Sequence, residues 1–133
     1  DVRSRLHALG FVDEVWDLYA LADAVAYVSH LDGYPNVVLE AQAAGLPVVA
    51  NAAHGMVDQI DHDETGLLLD RPTPGQVTAH LSTLLENDDE RTRLGRNARE
   101  RVVSENDPAV VGRGFRDAID AVLPGSGRVE PVS

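Results

Sequence analysis

An alternation constrains this chain more than any other feature. Short apolar runs at residues 6–12 (L-H-A-L-G-F-V), 23–29 (D-A-V-A-Y-V-S) and 46–51 (L-P-V-V-A-N) are separated by stretches with helical apolar spacing, in units of about 20–25 residues. Strand, helix, strand, helix, strand at that interval predicts a parallel α/β layer. Asp13 is placed as the N-cap of the first helix, with Val15, Trp16, Leu18, Tyr19 and Ala22 on its inner face. A second helix is expected over residues 36–44, stopped by Gly45 at the C′ position. One helical turn is expected at 57–60, then a Thr65-Gly66 turn and a fourth strand at 67–69. Beyond residue 70 the pattern is helical. Thr73-Pro74 opens a helix with Val77, Leu81, Leu84 and Leu85 as its stripe, and Asp88 or Asp89 opens a polar one resting on Leu94, Ala98 and Val102. Asp107-Pro108 opens the last, carrying Val111, Phe115, Ile119, Val122 and Leu123. Residues 1–123 therefore read as one domain, and 124–133 (P-G-S-G-R-V-E-P-V-S) as a disordered tail of linker composition.

Composition removes several classes of function. A chain of 133 residues has enough length for a core without covalent staples, and with no cysteine it can hold neither a disulfide framework nor a thiolate metal site. Eleven basic residues, all arginine, face 22 acidic ones, and a net charge of −11 argues against a nucleic acid partner. The same balance points to a salt-loving or high-GC source, since an acidic surface stays solvated where salt screens self-repulsion. No run of 18 apolar residues is present, so no membrane span is expected and the predicted location is cytoplasmic.

In a parallel sheet, ligands bind at the carboxyl ends of the strands, which directs attention to the loops after Val12, Ser29 and Asn51. The loop after Ser29 carries the most chemistry. Gly33 is expected to supply backbone freedom and close access to the main chain. Pro35 and Asn36 then begin a helix whose first-turn amides form a seat for phosphate. Glu40 lies four residues beyond Asn36 on the same helix face, where a carboxylate suits a pair of sugar hydroxyls. Complementing the positive end of the helix is the plainer reading of the same residue. Asp32 sits on the loop, either facing a ligand or serving as a turn residue before Gly33. The five histidines (7, 30, 54, 62 and 80) lack metal-ligand spacing, so no metal site is expected. Arg91, Arg93, Arg96, Arg99 and Arg101, accompanied by acids, read as a solvated, salt-bridged surface that goes around its helix without forming one stripe.

Asp32-Gly33-Tyr34-Pro35-Asn36-Val37-Val38-Leu39-Glu40-Ala41, continued by Ala43, Gly45 and Pro47-Val48-Val49, resembles the motif of one family. That family is the C-terminal nucleotide-sugar-binding half of retaining GT-B glycosyltransferases (glycosyltransferase family 4). Its pattern runs E-G-F/Y-x-N-x-x-x-E-A-x-A-x-G-x-P-V-V after an apolar strand ending in Ser. The L-G-F-V-D run at residues 9–13, L-A-D-A-V at 21–25, H-G-M-V-D at 54–58 and T-G-L-L at 65–68 match its flanks. So do the helices at 81–85 and 91–99, and the resemblance extends from about Leu6 to Leu123. Asp32 stands where the family has Glu, His54 where it has Gly, and Asp58 where it has Glu.

The resemblance implies a Rossmann-like parallel sheet with flanking helices, the second half of a GT-B C-terminal domain. It implies that Glu40 holds the donor ribose, that Asn36 and Val37, following Pro35, receive the distal phosphate, and that Asp32, with backbone groups of Gly33 and Tyr34, faces the donor sugar, Asp32 being the catalytic carboxylate. The implied reaction is hexosyl transfer with retention, from a nucleotide-diphosphate sugar to a glycan, lipid or small-molecule acceptor, without a required cofactor. The family's diphosphate-clamping Arg and Lys lie earlier in the same half, and this chain has no lysine. Its acceptor-binding N-terminal domain is also expected elsewhere, so the chain is read as a fragment, inactive alone, of an enzyme that in full length sits in the cytoplasm or at the membrane periphery. The alternative is a truncated, non-catalytic module that binds nucleotide-sugar or docks a subunit.

Overall fold

The apolar run around residue 48 becomes the middle of a three-stranded parallel sheet. In the computed structural model, which describes residues 2–123, β1 (Val25–Tyr27), β2 (Val48–Asn51) and β3 (Gly66–Leu69) stand in that order. Val25 pairs with Val48, and Val48 with Gly66. β2 is buried along its whole length, as befits a strand covered on both faces. Alternation then sorts its side chains. Val48 and Ala50 pack with Tyr19 of α1 (Val15–Leu21), Val38 and Ala41 of α2 (Asn36–Ala43), and Met56 of α3 (Met56–Gln59). Val49 turns to the opposite face, with Leu67 and Leu69, under Leu84 of α4 (Pro74–Glu86) and Leu94 of α5 (Asp88–Glu105). Each fully buried Val or Leu contributes about 1.5–3 kcal/mol of burial free energy, so this doubly covered sheet is what holds the loops at its ends.

Local signals terminate the helices where the spacing predicts. Gly45 takes φ +81 just past α2. Thr73 caps α4 by accepting from the Gln76 amide at 3.3 Å, with Pro74 at the first position. Asn87 caps α5 through the Glu90 amide at 3.1 Å, and Asp107 caps α6 (Pro108–Val122) through the Ala109 amide at 2.7 Å.

Four expectations fail, three of them because a face or edge finds no neighbour and one because a cap is misplaced. Residues 6–12 do not form a strand: Gly10 sits at φ +67 in the middle of the run, and Leu6 and Phe11 are exposed. Among the described residues no chain lies along the free edge of β1 to receive backbone bonds from such a strand. Asp13 is not a cap; Glu14 precedes α1 and makes no side-chain cap bond. On α1 only Tyr19 is buried, while Trp16 and Leu18 of the expected inner face are exposed. The stripe of α6 is likewise exposed, Val111, Phe115, Ile119 and Val122 included. Residues 124–133, read above as a disordered tail, lie outside the described residues.

Candidate functional site

The loops that follow β1 and β2 meet at the carboxyl end of the sheet. Asn51, the last residue of β2, sets the first of these contacts. Its Oδ1 accepts from the Ser29 amide at 3.0 Å and its Nδ2 donates to the Ser29 carbonyl at 2.9 Å. A buried side chain thereby continues the β1–β2 ladder past the last backbone pair and fixes where the 30–35 loop departs. The second contact is backbone against backbone. A Cβ added at Gly55, just before α3, would fall inside the Gly33 carbonyl and 2.9 Å from the Tyr34 Cα. His54 beside it takes φ 50, a left-handed conformation at the position where the family pattern has Gly. Gln59 completes the junction: its Nε2 donates to the Pro35 carbonyl at 3.1 Å, and its own carbonyl accepts from Gln42 Nε2 at 3.0 Å.

Gly33 itself departs from expectation. Its φ is not positive, and an added Cβ would meet open space. The close approach that needs a glycine belongs to Gly55, across the junction. Pro35 is buried as the N-cap of α2, and Asn36, Val37 and Tyr34 are exposed. Pro35 gives no side-chain cap bond. Among the described residues the Asn36 and Val37 amides find no acceptor, while the Val38 amide bonds the Pro35 carbonyl at 3.2 Å. An uncapped helix start with its dipole behind it favours an anion.

Both carboxylates near this helix start are held by tyrosines. Tyr19 Oη donates to Glu40 Oε2 at 3.0 Å, across from α1, and Glu40 is half-buried. Burial first, and then the bond to Glu40, pushes the Tyr19 phenol up to about 12. Tyr27, the last residue of β1, donates through Oη to Asp32 Oδ2, and that bond is the main cause of its raised pKa. Glu40 is thus a tethered side chain with Oε1 free of that bond.

Tyr19, Tyr27, Asn51, Gly55 and Gln59 all shape this site, and none stands out in the sequence as a site residue. Their partners are 17 or more residues away, except for Tyr27 and its loop. The polar Asn closing the otherwise apolar run 46–51 is the one local signal among them. The α5 arginines are salt-bridged as expected at Arg91, Arg93 and Arg101, and they add contacts that the sequence does not announce. Arg93, Asn97 and Arg101 form a stripe that bonds the main chain behind α3, at the carbonyls of Asp63 (2.6 Å), Glu64 (3.1 Å) and Asp58 (2.8 Å) respectively.

Residues 1–101 match the family described as "Glycosyl transferases group 1". The chain belongs to that family. It is 39% identical over 86 residues to the D-inositol 3-phosphate glycosyltransferase of Corynebacterium efficiens, covering 65% of this chain and 20% of that protein. It is 40% identical over 96 residues to the protein of the same name from Kineococcus radiotolerans, covering 66% and 22%. The chain spans about a fifth of the length of the curated relatives it matches. Among solved structures it resembles Anabaena HepE in complex with UDP, with a TM-score of 0.84 and 23% identity over 90% of this chain and 33% of that one. Sucrose-phosphate synthase from Thermosynechococcus elongatus gives a TM-score of 0.74 at 27% identity, over 89% and 31%. The α/β architecture expected from the alternation is that of GT-B glycosyltransferases.

Proposed function

We propose that this family member is the donor-binding part of a retaining hexosyltransferase, and that its site takes the nucleoside diphosphate of a sugar donor. The observation that carries the reading is the uncapped start of α2 with a tethered carboxylate, Glu40, one turn behind it. The Asn36 and Val37 amides receive the distal phosphate. Glu40 accepts from the ribose hydroxyls, charge-assisted bonds of the stronger kind. Asp32, held by Tyr27 and backed by the main chain of Gly33 and Tyr34, faces the donor sugar.

In transfer, the bond between the anomeric carbon and the distal phosphate oxygen breaks and its electron pair stays on the phosphate. The oxygen of an acceptor hydroxyl bonds the anomeric carbon on the same face of the sugar, and the hydroxyl proton passes to the departing phosphate oxygen. Negative charge grows on the phosphate as positive charge grows on the sugar, so amides aimed at the one and a carboxylate near the other favour the transition state over the ground state. The crystallised complexes of HepE with UDP and with UDP-glucose support a uridine nucleotide as the first donor to test. The relatives' name supports a phosphorylated polyol as the first acceptor to test with the full-length enzyme.

The test is a titration of this chain with UDP, followed through the backbone amide signals of residues 32–40, for the native sequence and for Glu40→Ala. Saturable shifts at Asn36 and Val37, with affinity about tenfold weaker in the variant, are expected from the loss of a charge-assisted pair. Equal affinity in the variant removes Glu40 from the site. Silence of the whole segment with UDP, ADP and GDP alike overturns the donor reading.

A further inference from the structure

At the opposite end of the sheet, where β1 and β2 begin, lies a groove of about 380 Å³, a size within the range of small-ligand sites. One wall is the pair of turns that lead into the strands, including Asp23 and Gly45. The other is a face of α5 carrying Arg91, Thr92, Arg96 and Arg99. Thr92, Arg96 and Arg99 are four and three residues apart and so share one side of the helix. Three arginines and one acidic residue, Asp23, thus line one groove, in a chain whose net charge is −11.

The arginines of α5 divide by what they bind. Arg93 and Arg101 are used by carboxylates and carbonyls on the far side of the helix. Arg91 is taken up by Asp88 at 2.9 Å and by the Leu84 carbonyl at 3.1 Å, with Asp23 more distant at 3.9 Å. Arg96 and Arg99 have no hydrogen bond or ion pair among the described residues. Gly45, in the left-handed region at φ +81, lies beside them: a Cβ added there would come to 3.9 Å from Arg99 Cδ, an ordinary van der Waals contact. Two unpaired, always-charged planar forks beside a hydroxyl and a third arginine make a donor set matched to phosphate oxygens.

We propose that this groove is a second ligand site, which takes a small phosphorylated anion, held by Arg96 and Arg99 with Thr92 as a further donor. It stands apart from the site of the preceding section, since it lies at the amino ends of the strands and shares none of that site's residues. Ligand at the groove bridges α5 to the turns before β1 and β2.

The experiment is a low-salt titration of the full 133-residue chain with inorganic pyrophosphate, read at the arginine Nε–Hε signals and the Gly45 amide. Saturable shifts at Arg96, Arg99 and Gly45 are expected. They should weaken at least about tenfold in Arg96→Gln/Arg99→Gln, while the response of the Asn36 and Val37 amides stays as in the native chain. Arg96→Gln alone, on an exposed position, provides a second variant should the double one fold poorly. Sodium chloride at matched ionic strength is the control for screening. Identical shifts with chloride, or none with pyrophosphate, overturn the proposal. A response only to vesicles containing phosphatidate overturns it as well, by assigning the arginines to a lipid surface. Silence at α2 with a saturating groove leaves this site standing and counts only against the donor reading.

Discussion

Replacing Gly55 by alanine tests the backbone junction that brings the two site loops together. Gly55 has φ −67, a conformation alanine adopts freely, so strain at residue 55 itself contributes nothing. What decides is the added methyl, which would lie inside the Gly33 carbonyl and 2.9 Å from the Tyr34 Cα. Both neighbours are main chain, with no rotamer to swing aside, so the 33–34 loop or the start of α3 must move. Overpacking of this kind costs about 1–3 kcal/mol. Alanine also restricts the unfolded chain, which offsets about 0.4–1 kcal/mol. The net expected loss is about 1–2 kcal/mol, or about 5 °C in Tm for a chain of this size. Gly33→Ala is the internal control. Its added Cβ meets nothing within 4 Å and its φ is not positive, so only the unfolded-state effect remains and stability should hold or rise slightly. Urea and thermal unfolding of both variants decide the matter. Gly55→Ala as stable as the native chain, or Gly33→Ala equally damaged, would refute the junction.

The Tyr19 phenol has a folded pKa of about 12, above the ordinary 10, so its neutral form stabilises the fold in full below pH 10. That contribution is lost as pH rises from 10 through 12; urea midpoints should fall more steeply there for the native chain than for Tyr19→Phe, and parallel profiles would count against the Tyr19–Glu40 bond. At neutral pH Tyr19→Phe should itself cost about 1 kcal/mol, the worth of one hydrogen bond. Asn51→Ala leaves both Ser29 backbone groups without their partner and should cost about 2–3 kcal/mol in urea unfolding. Asn51→Asp sets a carboxylate oxygen against the Ser29 carbonyl at pH 7; part of the loss should return at acid pH, where the protonated carboxyl donates as the amide did.

Much of the frame was legible in the chain alone. The run 46–51 alternates into two cores because a strand's period is two. Thr73, Asp107 and Gly45 end or begin helices because a cap is decided by three or four adjacent residues. The D-G-Y-P-N-V-V-L-E segment likewise announces a strand-to-helix loop with a carboxylate one turn on, since that arrangement is local. Tertiary structure alone decided the rest. Residues 6–12 and the α6 stripe have the composition of buried elements, yet burial requires something opposite, and among the described residues nothing covers them. Tyr19 reaches Glu40 across 21 positions, and Gly55 meets Gly33 across 22, because parallel crossovers return the chain to the same sheet end. The division of α5 into a stripe that braces α3 and a face that opens on a groove depends on which turns pack against each side. Spacing along a chain settles periods, caps and turns, which involve a few neighbours; which atoms meet across a crossover is set by packing, and sequence distance carries no record of it.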